Sequence, residues 1–107
     1  MWRITVGILV LLLTATVAAA GPPFIRTNSI RHNWDVKTCL ANVKSVMENM
    51  GFTNLDVDNN DVEGPKGEYM AEVICWKRAV FAIVAGPRNR AAGGLRDDIL
   101  KGLKNLR

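Results

Sequence analysis

Residues able to carry chemistry are scarce in this sequence of 107 residues, which has two cysteines, one histidine and one tyrosine. A structural zinc site takes about four Cys or His ligands, and this chain has only three such residues. Cys39 and Cys75 are too far apart in sequence to form the C-x-x-C motif of a redox-active pair. His32 has no Ser, Cys or carboxylate placed near it in a catalytic pattern. We therefore expect neither enzyme activity nor a metal or cofactor.

An acidic segment comes closest to a metal-binding motif. Asp56, Asp58 and Asn60 match the first three ligand positions of a calcium loop. Asp61 then stands where such a loop needs glycine for its bend, and Gly67 stands where it needs the bidentate glutamate. These two mismatches argue against calcium. We interpret the segment as a solvated, polar edge strand that discourages pairing with other sheets.

The most strongly apolar segment lies at the start of the chain. Arg3 precedes an apolar run centred on residues 8–13, and three alanines ending at Ala20 resemble a signal-peptidase site. The pattern predicts a signal peptide over residues 1–20, cleaved near Ala20. The mature chain is then periplasmic or secreted and has no stable membrane span. An uncleaved anchor is the alternative, but a Gly-Pro-Pro sequence follows, and the run is short for a bilayer core of ~30 Å.

The excess of positive charge is modest, at +4 for the whole chain. Arg3 is the only charged residue of the predicted signal peptide, so cleavage lowers this charge by one. Most of the other basic residues are spread over loops and the C-terminal helix 2, without a dense stripe of Lys and Arg among aromatic side chains. Nucleic-acid binding is therefore not expected.

The mature chain divides into an extended N-terminal arm, residues 21–33, and a domain over residues 34–107. Apolar residues recur three and four positions apart from Val36 to Met50, which predicts helix 1. Asn33 or Asp35 is placed to cap its start, and Gly51 to end it. The other predicted elements are a strand at 53–63, a turn at 64–67, a strand at 68–76, a strand at 79–85 and helix 2 at 89–106. This order predicts a single small α+β domain: a helix, a three-stranded antiparallel meander and a helix.

A disulfide between Cys39 and Cys75 is expected because an exported chain meets an oxidising compartment. Cys39 lies on the apolar stripe of helix 1. Cys75 shares one face of the middle strand with Ala71 and Val73. The bond would staple helix 1 to the inner face of the sheet, and two buried free thiols are the alternative.

The opposite sheet face is the candidate interface. The last strand is apolar on both of its faces, which is usual for a strand covered on both sides. Either helix 2 or the N-terminal arm covers the outer face, or the face docks against a second copy or an envelope protein. The candidate interface residues are Met70, Ile74, Trp76, Phe81 and Ile83.

A candidate anion site lies between the last strand and helix 2. Arg88, Asn89 and Arg90 stand where free backbone N–H groups and the helix dipole attract negative charge. The spacing of this loop matches neither the G-x-x-x-x-G-K-[ST] nor the G-x-G-x-x-G phosphate-binding motif. A loop with solvated arginines is the alternative.

Short motifs distributed through the domain carry a resemblance. They are Cys39-Leu40-Ala41, Gly51-Phe52, Gly67-x-Tyr69-x-Ala71, Ile74-Cys75 and Phe81-x-Ile83-Val84-Ala85-Gly86-Pro87. The pattern resembles small exported bacterial proteins of unknown function and covers about Trp34 to Leu103. The resemblance supports the fold and the disulfide, and it brings no catalytic residues.

The function expected from the sequence is that of an exported binding module. Its partner is a second copy of the chain or another envelope protein, which it binds through the outer sheet face. Binding of an anion or small ligand at Arg88 and Arg90 is the alternative. A small hydrolase is the weakest interpretation, because the residues supply no polar pocket.

Overall fold

The computed structural model describes residues 24–106, where two helices cover one face of a five-stranded sheet. The predicted signal peptide lies outside these residues. Neighbouring strands are all antiparallel, and their order across the sheet is β1-β5-β4-β3-β2. The elements are β1 Phe24–Arg31, α1 Val36–Asn49, β2 Asp56–Val57, β3 Asp61–Lys66, β4 Tyr69–Cys75, β5 Ala79–Gly86 and α2 Asn89–Lys104.

The core lies between the inner face of the sheet and the two helices. Alternation along β5 turns Val80, Ala82 and Val84 inward, and all three are buried. Met47 of α1 and Leu103 of α2 complete the same cluster from the helix side. Because both helices occupy this face, the other face of the sheet carries no helix within residues 24–106.

The predicted helix 1 is confirmed as α1, and local residues define both of its ends. Asp35 is the N-cap, and its carboxylate accepts a hydrogen bond of 2.7 Å from the Thr38 backbone N–H. After the C-cap, Met50, the chain turns away through Gly51 at a φ of +92°, a conformation that favours glycine. The sequence signals at both ends therefore locate the helix.

The predicted disulfide is confirmed. Cys39 and Cys75 are bonded, with their Cα atoms 6.0 Å apart. Both side chains are buried, one on α1 and the other on the inner face of β4. The bond therefore joins the first helix to the middle of the sheet.

The predicted three-stranded meander is wrong in detail, because the sheet has five strands. Phe24–Arg31 lies in the segment predicted as an arm, and it pairs with β5 along its whole length as the edge strand β1. The acidic segment predicted as one strand is instead two, β2 and β3, separated by a turn at residues 58–60. The two remaining strands, β4 and β5, match the prediction within one residue at each end.

The predicted turn at 64–67 is also wrong, since Gly64 and Pro65 belong to β3. The Pro65 carbonyl accepts from Thr53 N–H at 3.0 Å, so its backbone polar groups face away from β4 and the missing N–H costs no β3–β4 bond. Gly64 is needed for close packing, because a Cβ there would lie 2.6 Å from Leu55 Cδ2. The chain turns at Gly67, whose φ is +59°.

Helix α2 confirms the predicted helix 2 but is shorter than predicted. Ile99 and Leu103 are buried as expected, and Leu95 packs against the core. Leu106, which the pattern assigned to the buried stripe, is 50% exposed because the helix ends at Lys104. Within residues 24–106, no helix is long and apolar enough to cross a membrane.

Candidate functional site

The outer face of β4 and β5 brings the predicted interface residues together. Ile74 of β4 stands directly opposite Phe81 of β5, and Ile83 stands opposite Glu72. Met70 lies one step further along β4. The strand register therefore assembles a contiguous apolar surface from residues that are distant in sequence. We call this surface the outer patch; its residues are Met70, Ile74, Trp76, Phe81 and Ile83.

Neither covering considered from the sequence lies over the outer patch within residues 24–106. Helix α2 packs on the inner face, and β1 extends the sheet at its edge. Ile30 turns into the core, whereas Phe24 and Ile25 are exposed. The outer patch therefore remains partly exposed, with Phe81 at 40%.

Two aromatic rings mark the end of the outer patch. Trp76 follows the last residue of β4 and is 58% exposed, a large fraction for so large a side chain. Its ring stands edge-on to that of Phe81, with centroids 6.2 Å apart. Lys77, Arg78 and Ala79 join these rings in lining an open, largely apolar hollow.

An acidic row runs from the edge of the sheet into the outer patch, and the sequence pattern did not predict it. Register places Asp56 opposite Glu63, and Glu63 opposite Glu72, across three neighbouring strands. The interpretation of this segment as solvated is wrong for Asp61 and Glu63, which are 2% and 5% exposed. Alternation in β3 could have placed Asp61 and Glu63 on one face, but only the correct register reveals Glu72 beside them.

The predicted anion site lies at the start of α2. Arg88, Asn89 and Arg90 are all exposed, and Arg88 as N-cap makes no side-chain capping hydrogen bond. The first turn of the helix contains no acidic residue. Arg26 of β1 reaches the same place, where its Nη1 donates to Asn89 Oδ1 at 3.1 Å.

The single histidine is a structural residue of the β1–α1 connection. His32 is buried, and its Nδ1 accepts a 3.0 Å hydrogen bond from the Trp34 backbone N–H. In the neutral ring this bond leaves the proton on Nε2. The rings of His32 and Trp34 are stacked with centroids 5.0 Å apart, and both line a half-open hollow with Arg31 and Asn33. These contacts position the chain before α1.

The carboxyl group of Asp35 has a lowered pKa. The backbone N–H of Thr38 donates to Asp35 and holds the pKa of that carboxyl below its ordinary value of 3.8. The lowered pKa of Asp35 results from its role as the N-cap of α1 and therefore has a structural origin. In residues 24–106, no group of three or more His, Cys, Asp or Glu side chains is arranged to hold a metal ion.

Comparison of the chain with protein-family models, curated proteins and solved structures gives no match. The resemblance to small exported bacterial proteins therefore depends on the short motifs alone.

Proposed function

We propose that this chain is an exported binding module that self-associates through the outer patch. The observation that carries the proposal is an apolar surface on the middle strands of the sheet that no described helix covers. Isolated exposed apolar residues are ordinary, whereas a contiguous group on two paired strands is typical of an interface.

Export is supported by two independent features of the chain. The first twenty residues have the charge, apolar run and small residues of a signal peptide. The Cys39–Cys75 disulfide is compatible with a periplasmic or extracellular chain, because disulfides persist in oxidising compartments. A disulfide-stapled domain of this size suits an environment outside the cytoplasm.

The strand order allows a second copy of the chain to be the partner. A two-fold axis parallel to the strands, between β4 and β5, lays β4 of one copy over β5 of the other. Ile74 then meets the second copy's Phe81, and β3 of one copy lies over β1 of the other. Glu72 also lies within the apolar zone, opposite Ile83, and the cost of removing its polar side chain from water predicts a weak dimer.

Sedimentation equilibrium of the exported chain tests this proposal with one matched pair of variants. Phe81→Lys places a charge in the outer patch, and Leu106→Lys makes the same change at an exposed apolar residue outside it. At tens of micromolar, we expect the wild type and Leu106→Lys to sediment as dimers and Phe81→Lys as a monomer.

A monomeric wild type at the highest soluble concentration would contradict self-association. A dimeric Phe81→Lys variant would also contradict it, because association would then use another surface. Circular dichroism of both variants checks that each retains the wild-type fold.

Anion binding at the start of α2 is the second candidate function. Its supporting observation is a helix N-terminus without a side-chain cap, beside Arg26, Arg88 and Arg90. Free first-turn N–H groups and guanidinium groups together suit a phosphate or carboxylate.

Titration with inorganic phosphate, followed by amide chemical shifts, tests the anion site. We expect shifts confined to the first turn of α2 and lost in the double variant R88Q/R90Q. Shifts spread evenly over all exposed basic residues would indicate unspecific ionic association and contradict the site.

A further inference from the structure

We propose that the tip of the β4–β5 hairpin docks the protein on an anionic lipid bilayer. The tip consists of Trp76, Lys77 and Arg78, with Phe81 behind the tryptophan and Arg31 beside it on β1. The tip shares Trp76 and Phe81 with the outer patch, whereas its basic residues, Lys77 and Arg78, lie in the turn outside that patch. Vesicle binding through these basic residues is therefore tested separately from self-association.

The backbone holds the tip rigidly on the body of the domain. Trp76 N–H donates to the Ala79 carbonyl at 2.8 Å, which closes a turn with Lys77 and Arg78 at its centre. The Arg78 carbonyl in turn accepts from His32 N–H at 3.0 Å. The tip is therefore tied both to the hairpin and to the end of β1, and docking would not require it to become ordered.

Trp76 gives the tip its apolar component. Its indole ring packs edge-to-face with the ring of Phe81, and Trp76 is 58% exposed. Tryptophan is enriched at the boundary between lipid headgroups and hydrocarbon, where its ring is half in each medium. A tryptophan held outward at the end of a rigid hairpin is placed to enter that boundary first.

The charges around Trp76 complement an anionic surface. Lys77 and Arg78, the two residues after Trp76, are exposed. Arg31 of β1 stands opposite Ala79 of β5. Asp58 faces the tip from the β2–β3 turn, whose Asn60 carbonyl accepts from Cys75 N–H. Asp61 lies beside Ile74 on β3, and Asp35 and Lys37 at the start of α1 carry opposite charges. Three basic residues therefore outnumber the two remaining carboxylates, Asp58 and Asp61, at this end.

This combination fits a bilayer better than a protein partner. The tip projects one exposed ring flanked by two long cationic side chains, and long cationic chains can reach headgroups while the ring enters the boundary. Each basic residue near an anionic membrane strengthens binding severalfold, an effect that salt screens. The predicted association is therefore weak, reversible and dependent on lipid charge.

Vesicle co-sedimentation of the exported chain tests the proposal. The probes are vesicles of phosphatidylcholine alone and of phosphatidylcholine mixed with phosphatidylglycerol. We expect binding to the mixed vesicles only, weakened by salt. The variant K77Q/R78Q should bind about 30-fold more weakly, and Trp76→Ala roughly tenfold more weakly.

The charge-matched control is K44Q/K101Q, which removes two exposed lysines from the helix layer. It should bind like the wild type. Mass spectrometry shows whether Trp2 has been cleaved off with the signal peptide, and the variant W34F (with W2F if Trp2 is present) leaves Trp76 as the fluorophore. Its emission should shift to the blue on mixed vesicles and be quenched by brominated lipid.

Three results would overturn the proposal. These are equal binding to neutral and anionic vesicles, equal losses in K77Q/R78Q and K44Q/K101Q, and Trp76 emission that brominated lipid does not quench. Sedimentation of each variant without lipid is measured in parallel. Failure of self-association alone would contradict the proposed function and leave vesicle binding intact.

Discussion

Ile30 of β1 stands directly opposite Val80 of β5, and both side chains are buried in the core beneath the helices. This pair shows which side chains of β1 face the core. Residues of even number in β1 point toward the helices, and those of odd number, including Ile25, point to the outer side. The edge strand therefore contributes to the core through one well-buried side chain near its end.

Two identical substitutions in β1 should differ sharply in their effect. Ile30→Thr removes a buried side chain that is 8% exposed, and we expect a loss of about 1–3 kcal/mol in the free energy of unfolding. Ile25→Thr changes a residue that is 60% exposed, and we expect a change within about 0.5 kcal/mol. Urea unfolding, followed by circular dichroism at low protein concentration, measures both. Equal losses would contradict the register of β1.

The reason that β1 escapes sequence analysis follows from this register. A half-buried strand is recognised by alternating apolar and polar residues. In β1 the inward positions include the polar residues Arg26 and Asn28, and Arg26 donates a hydrogen bond to Asn89 at the start of α2. Only Ile30 is buried, so no alternation is visible.

Local signals located the other elements well. The caps of α1 and the apolar runs of β4 and β5 lie where the sequence predicts them, since those signals depend on neighbouring residues. The prediction of a turn at Gly64 and Pro65 failed because their role depends on a segment distant in sequence, which contacts them at Thr53. For the candidate site, alternation predicted which residues share the outer patch. It could not predict that Glu63 and Glu72 stand side by side.

The disulfide should contribute a large share of the stability. It closes a loop with a sequence separation of 36, for which the chain-entropy model gives about 4 kcal/mol. We expect the variant C39A/C75A to lose about this amount in the free energy of unfolding, measured by urea unfolding. Because both cysteines are buried, reductant added to the native wild type should release no thiol until denaturant is also added. Rapid thiol release without denaturant would contradict this burial.

Two glycines of α2 should respond oppositely to the same substitution. A Cβ at Gly102 would lie 2.8 Å from Val46 Cγ1 on α1, where stiff, branched valine has little freedom to move. A Cβ at Gly94 meets nothing within 4 Å. We expect Gly94→Ala to raise the free energy of unfolding by about 0.5–1 kcal/mol, through helix propensity and the unfolded chain. We expect Gly102→Ala to lower it by about 1–2 kcal/mol.

The double variant G102A/V46A separates the two causes at Gly102. Val46→Ala removes the clashing methyl groups, so the two substitutions together should cost less than the sum of their separate effects. Additive losses would show that the contact between α1 and α2 is looser than the 2.8 Å distance indicates.

The cap of α1 should make stability depend on pH at the acidic end. Thr38 N–H binds the ionised carboxylate of Asp35 and lowers its pKa in the folded state below 3.8. A lowered folded pKa means that the stabilisation is present above the unfolded pKa and is lost as pH falls through the folded pKa. Asp35→Ala should therefore lower the Tm near neutral pH, and its difference from the wild type should narrow below pH 3.8.

Asp35→Ser is the control for this prediction. Its hydroxyl accepts the same hydrogen bond from Thr38 N–H but does not titrate, so its Tm should exceed that of Asp35→Ala by a margin that acid does not reduce. Thermal unfolding of all three proteins over the acidic range, followed by circular dichroism, gives the comparison. A wild-type advantage over Asp35→Ala that persists through the acid range would show that packing of the Asp35 side chain, rather than its charge, stabilises the start of α1.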